Sequence, residues 1–216
     1  AAQAIALLVN AGAGDDTIAG GKGIETLVAE DGNDTVDGNG GNDFASLGAG
    51  DDTFVWDPGD GSDTIEGEAG RDTMRFNGAG GPEQVELSAN GSRLKFFRTQ
   101  ANVTMDTAGV ERVDFNALGG ADTVTVNDLT GTAVDAVNID LAGALGGGTP
   151  DGVADNVIVK GTNGDDAIGV SGDSRSLTVS GLAATTTILH TDPALDRLDV
   201  NTQAGTDTVS TARLVA

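Results

Sequence analysis

The feature that most constrains this chain is an internal period of nine residues. Cut from Ala11, the sequence reads AGAGDDTIA, GGKGIETLV, AEDGNDTVD, GNGGNDFAS and LGAGDDTFV. After two extra residues, Trp56 and Asp57, it continues as PGDGSDTIE and GEAGRDTMR. The fourth position of each unit is glycine: Gly14, Gly23, Gly32, Gly41, Gly50, Gly61 and Gly70. The sixth is acidic: Asp16, Glu25, Asp34, Asp43, Asp52, Asp63 and Asp72. The eighth is apolar or small: Ile18, Leu27, Val36, Ala45, Phe54, Ile65 and Met74. A lone Gly-x-Asp carries little information, because both residues favour turns. Seven in fixed phase describe a chain that turns and extends on a nine-residue cycle. The residues after each acid form a short strand with one inward side chain. Such a strand buries almost nothing alone, so the units must stack into an array. The predicted fold is all-β, a parallel β-solenoid.

Two nonapeptides would make one turn, so acids two units apart share an edge. One column then holds Asp16, Asp34, Asp52 and Asp72, and the other Glu25, Asp43 and Asp63. Carboxylates stacked about 5 Å apart, the spacing of neighbouring strands, repel one another unless cations lie between them. Calcium suits such a place, since it takes six to eight hard oxygen ligands, main-chain carbonyls included. The chain has no Cys and one His, which disfavours the softer metals and leaves metal rather than disulfides as the staple. With 34 acidic against 11 basic residues and a formal charge of −23, nucleic acid is not an expected partner. The 34 Gly and 3% aromatic content fit many tight turns rather than a broad globular core.

These nonapeptides resemble the RTX, or haemolysin-type, calcium-binding repeat family, closely over residues 11–75 and more weakly over 117–216. The resemblance implies a right-handed parallel β-roll with Ca²⁺ between turns, exported by type I secretion and folding outside a Gram-negative cell. It also implies that Asp16, Asp34, Asp43, Asp52, Asp63 and Asp72 are side-chain ligands, together with the carbonyls of their glycine-rich turns. Glu25 is the weakest member because its side chain is longer.

Regularity is expected to stop after Arg75. Residues 76–116 read as an irregular β insert or wider solenoid turns, in which Asn90-Gly91 marks a tight turn between alternating segments, a β-hairpin or a pair of wider solenoid strands. Arg93, Lys95 and Arg98 there are read as a strand face that neutralises nearby acids, with a docking patch as the alternative. Beyond Asn116 the repeat returns in degenerate form. ALGGADTVT, GTNGDDAIG and TQAGTDTVS offer Asp122, Asp166 and Asp207 as further ligand candidates. Asp155 is another, with even weight on each side. Strand centres are expected near 158, 168, 178, 188, 198 and 209, as continued solenoid. GALGGGTPDG at 143–152 reads as a flexible excursion or a boundary. AAQAIALLVNAG is too short to span a bilayer and reads as a first strand. Both ends read as cuts through a repeating structure.

The function expected is that of a secreted, calcium-binding structural module of a larger surface, matrix or adhesin protein. Its partners would be calcium ions, with self-association or cell-surface and matrix components as candidates, and no membrane insertion. A polysaccharide-active β-helix enzyme is the second reading. It is disfavoured by the absence of Tyr and the single His190, which reads as a strand end rather than a base. An ice- or glycan-binding face is a third, resting only on Thr185, Thr186 and Thr187.

Overall fold

A computed structural model describes residues 7–214. Its first eight strands are β1 (Leu7–Asn10), β2 (Thr17–Ala19), β3 (Glu25–Val28), β4 (Thr35–Asp37), β5 (Phe44–Ala49), β6 (Thr53–Trp56), β7 (Thr64–Ala69) and β8 (Thr73–Asn77). They alternate between two sheets, odd strands in one and even strands in the other. Every pairing among them is parallel. Thr17 lies beside Thr35 and Thr35 beside Thr53, so one turn takes two nonapeptides. The expected parallel β-solenoid is therefore the fold. β1 lies within the expected first strand; residues 1–6 of that segment lie outside the described residues.

The narrow coils bury one side chain per strand in the even sheet, Ile18 on β2 and Val36 on β4. The inserted pair Trp56-Asp57 lengthens the next coil, and Thr53 lies beside Thr73. The longer strand points two side chains inward, first Phe54 and Trp56, then Met74 and Phe76. Trp56 and Phe76 stack with ring centres 3.9 Å apart, and Phe96 and Phe115 close the cluster. Four of the seven aromatics thus gather where the solenoid widens, and buried apolar residues run continuously between the sheets from Ile18 to Ile188.

The remaining strands are β9 (Gln84–Asn90), β10 (Arg93–Arg98), β11 (Val103–Ala108), β12 (Arg112–Asn116), β13 (Thr123–Val126), β14 (Ala136–Asp140), β15 (Asn156–Lys160), β16 (Ala167–Gly172), β17 (Ser176–Ser180), β18 (Thr185–Leu189), β19 (Arg197–Asn201) and β20 (Thr208–Leu214). β9, β10 and β11 form an antiparallel meander between β7 and β13. Asn90 faces Arg93 across a two-residue turn, Gly91-Ser92, in which Gly91 has φ +66°. A turn that short cannot cross to the other sheet, so the chain reverses within its own.

The second half also reverses, where continued solenoid is expected. All six expected strand centres fall on β15 to β20, but β16, β17 and β18 form a second antiparallel meander, in the even sheet. Asp173 closes its first turn by accepting the N–H groups of Arg175 and Ser176. Parallel stacking resumes on either side, with β14 beside β18 and β16 beside β20. The segment 143–152 is pinned rather than loose. Ala142 bridges Pro150, and the Gly143 N–H reaches the Thr149 carbonyl at 3.1 Å.

The basic residues of the first meander are occupied internally. Arg93 reaches Asp106 and Glu66, each at 2.6 Å, and Lys95 lies over the ring of Phe97. Arg98 is buried against Glu83 and over Trp56, so it is not a solvated charge. His190 follows β18 and is hydrogen-bonded through Nδ1 to Asp140 at 2.7 Å. Thr186 points into the core between the outward-facing Thr185 and Thr187, which breaks up any flat threonine surface.

Candidate metal centre

The nine-residue period places each acid at the same point of successive turns. In the even-sheet column the Asp16 N–H donates to Asp34 Oδ1 at 2.7 Å. Asp34 donates likewise to Asp52 at 2.7 Å, and Asp52 to Asp72 at 3.0 Å. In the other column Glu25 donates to Asp43 at 2.7 Å and Asp43 to Asp63 at 2.8 Å. Both expected columns therefore exist, and the carboxylates of Asp34, Asp43, Asp52, Asp63 and Asp72 are each tied to the main chain one turn earlier. A second ladder at the fifth position runs the opposite way. The Asn33 N–H donates to Asp15, Asp51 to Asn33, and Arg71 to Asp51.

These acids are buried: Asp34, Asp52 and Asp72 are at most 1% exposed, and Asp43 is 3%. The second oxygens of Asp16, Asp34, Asp43, Asp52 and Asp72 are buried and accept no hydrogen bond. A methyl group placed on Gly67 would overlap the Gly109 carbonyl oxygen and lie 2.6 Å from Asp72 Oδ2. One placed on Gly38 would lie 2.6 Å from Asp43 Oδ2. The free carboxylate oxygens thus face tight turns, and Asp72 Oδ2 shares its space with a carbonyl oxygen. Oxygens so placed repel one another unless a proton or a hard cation joins them. Among the described residues no group of three acidic or imidazole side chains could hold a metal. An ion here would draw on the main chain, which Ca²⁺ tolerates and softer metals do not. The residues present fit calcium.

The acid pattern extends beyond the seven units. The Asp72 N–H donates to Glu111 Oε2 at 2.8 Å. Glu83 donates to Asp122 at 2.7 Å, Asp122 to Asp155 at 2.8 Å, and Asp155 to Asp196 at 3.0 Å. Asp122 therefore sits in a column of its own, with Asp155 as its neighbour. Glu83 and Glu111 lie outside the seven tandem units, yet both carry the repeat's signal. GAGGPEQVE carries Gly81, Glu83 and Val85 in phase, and DTAGVERVD carries Gly109, Glu111 and Val113. Glu83 is neutralised by Arg98, an internal cation standing in that turn. The Asp166 N–H donates to Asp207 Oδ1 at 3.0 Å. Asp166 differs from the rest, since Thr162 donates to both its oxygens, from N–H and from hydroxyl.

Burial raises the carboxyl pKa of Asp63, Asp72 and Asp155 to about 7 and that of Asp122 to about 8, with neighbouring acids adding to the shift. Folded-state values above the ordinary ones mean that, without metal, the folded chain holds these protons more tightly than the unfolded chain. The stability so gained is complete below about pH 4 and is lost as pH rises through 7 to 8. The calcium-free protein should therefore resist urea better at pH 5 than at pH 8. Calcium affinity should run the other way, falling below pH 7, because the ion displaces those protons. Urea midpoints in chelator and calcium titrations at the two pH values check both slopes. A calcium-free protein more stable at pH 8 would contradict the first.

Stacked turns, carboxylates tied turn to turn and oxygen-only pockets define a metal-binding β-roll. The comparison with protein families agrees: the RTX calcium-binding nonapeptide repeat (HemolysinCabind) matches in four copies, over residues 8–24, 20–54 and 59–78. Residues 8–78 are thus RTX repeats, which bind Ca²⁺. Comparison with curated proteins gave no match.

Proposed function

We propose that this chain is a secreted structural module that rigidifies when Ca²⁺ enters its acid columns, and that it serves a larger surface, matrix or adhesin protein. The observation that carries the reading is the set of buried carboxylates whose second oxygens have no donor. The proposed ligands are Asp16, Asp34, Asp43, Asp52, Asp63 and Asp72, with Glu25 as the weakest. Asp122, Asp166 and Asp207 are proposed as further candidates, Asp166 the poorest because Thr162 already satisfies it. The segments 1–75, 76–116 and 117–216 are proposed as a calcium-dependent block, a widened linker turn and a less metal-dependent continuation.

Extracellular calcium modules bind with Kd near 10⁻⁴–10⁻³ M. At ten times Kd each site adds about 1.4 kcal/mol to the folded state, so about five sites add ~7 kcal/mol, comparable with a domain's net stability. That contribution vanishes at intracellular calcium levels. Export before folding, by the type I route typical of RTX proteins, suits this dependence. No helix among the described residues is long and apolar enough to cross a membrane.

The test is a calcium titration of chelator-stripped protein followed by far-UV circular dichroism, with Mg²⁺ as control. A cooperative gain of β signal with Ca²⁺ alone is expected. Full β structure in chelator that Ca²⁺ leaves unchanged would sink the folding role.

A further inference from the structure

The counter-charge available to the buried acids changes along the chain. Residues 1–70 hold 15 acids and one base, Lys22, a net charge of −14. Residues 71–116 hold six acids and six bases, Arg71, Arg75, Arg93, Lys95, Arg98 and Arg112, and are neutral. Among the described residues, no column acid of the seven units pairs with a basic side chain. Glu83, a buried acid of the neutral segment, does. Its Oε1 accepts Arg98 Nε at 2.7 Å, Arg98 Nη2 and the Ala79 N–H. Arg98 is itself 7% exposed, lies over the Trp56 ring and donates through Nη1 to the Gln100 carbonyl. We propose that the neutral segment 71–116 is a hub that stays folded without calcium, with Arg98 as its built-in counter-ion, and that the acidic coils before it close onto it when calcium arrives.

The reversal of the chain supplies the cation. An acid of the repeat stands at the start of a parallel strand, so the acids of one sheet share one edge. β10 runs the other way. Its last residue, Arg98, therefore ends at that edge, opposite Val85 and against Glu83. Where a uniform stack would place another carboxylate, the meander places a guanidinium. Glu83 Oε2 has no donor, yet the pair as a whole carries no net charge, so this turn does not need an ion to offset one. Packing acts in the same direction. Trp56, Phe76, Phe96 and Phe115 meet here. β9, β10 and β11 pair with their neighbours in sequence, so the loops that must close are short. The narrow coils have only one inward side chain per strand in the even sheet, and they stack like charges.

The hub rests on the proposed calcium-dependent folding of the acid columns, and one experiment separates the two. Hydrogen exchange along the whole chain is read by mass spectrometry, in chelator and in Ca²⁺, for the wild type, R98M and E83Q/R98M. In chelator the wild type should exchange at least about a hundredfold more slowly over 84–116 than over 15–70, as separate opening units do. Ca²⁺ should slow 15–70 and close that gap. R98M should lose about a hundredfold of the protection over 84–116 in chelator, because it leaves a carboxylate buried alone. E83Q/R98M should regain it, since neither charge is then buried. Uniformly fast exchange in chelator, with protection in Ca²⁺, would overturn the hub and leave calcium-dependent folding intact. Uniformly slow exchange in chelator would overturn calcium-dependent folding, and the hub with it. Protection in R98M equal to wild type, or none regained in the double variant, would overturn the role of Arg98 as counter-ion. If R98M does not fold under either condition, the wild type and the double variant decide.

Discussion

Replacing Asp72 by Asn should make the calcium-free protein more stable and the calcium-bound protein weaker in its grip on the ion. Asp72 is fully buried, and its carboxyl is raised to about 7 by burial first and by Asp52, Glu111 and Asp51 after it. At neutral pH the metal-free fold must therefore hold either a proton or an uncompensated charge there. An amide removes that choice. Its oxygen can still accept the Asp52 N–H, now made at 3.0 Å. Its nitrogen would take the place of Oδ2, a buried oxygen without a donor, in the turn that also holds the Gly109 carbonyl oxygen, and should donate to an acceptor of that turn. The gain is that of one buried hydrogen bond, about 1 kcal/mol. With calcium present the same change would replace a proposed anionic ligand by an amide whose nitrogen cannot coordinate. Affinity should drop about tenfold, or ~1.4 kcal/mol. Urea unfolding in chelator and in saturating calcium reads the two signs separately. Destabilisation of equal size in both conditions would mean that Asp72 is a packing residue and not a ligand.

Gly50→Ala should be among the most damaging single methyl additions in the molecule. Gly50 has φ +139°, a conformation that L side chains rarely adopt, and its added Cβ would overlap the Gly32 carbonyl oxygen of the preceding turn. Backbone strain of this kind costs about 1–3 kcal/mol. Forcing two stacked turns apart adds about 1–3 kcal/mol more, for a total of about 4 kcal/mol. Gly59 provides the control. It also has positive φ, +122°, but a methyl there would meet nothing within 4 Å. Gly59→Ala should therefore cost only the strain, about 1–2 kcal/mol. If the two variants unfold at the same urea concentration in calcium, the close approach of the turns is not what demands glycine at the fourth position.

The repeat made the first half legible because stacking leaves one solution for a nine-residue cycle with an inward residue at position eight. Thr17, Thr35 and Thr53 lie side by side as that cycle requires, and so the two acid columns followed from spacing alone. Glu83 and Glu111 carry the same signal in a form that is harder to see. Pro82 stands at the fifth position of the first unit, and the meander interrupts the frame before the second. A two-residue spacer, Phe76-Asn77, also shifts the phase, as Trp56-Asp57 does one turn earlier.

What the sequence by itself determined is the unit: where the chain turns, which residue points inward, and that acids must stack and find a cation. Period and phase suffice for this because each unit contacts only its neighbours. The tertiary structure alone decided direction. Alternating residues look the same in a strand that runs parallel or antiparallel, so the reversal at β17 left no mark in the pattern, whereas Asn90-Gly91 marked the turn before β10. It alone also placed Asp151 over the Leu118–Gly120 turn and Arg98 against Glu83. Those contacts join residues from different turns, and no local spacing encodes which distant side chain will fill the space that a neighbouring turn leaves.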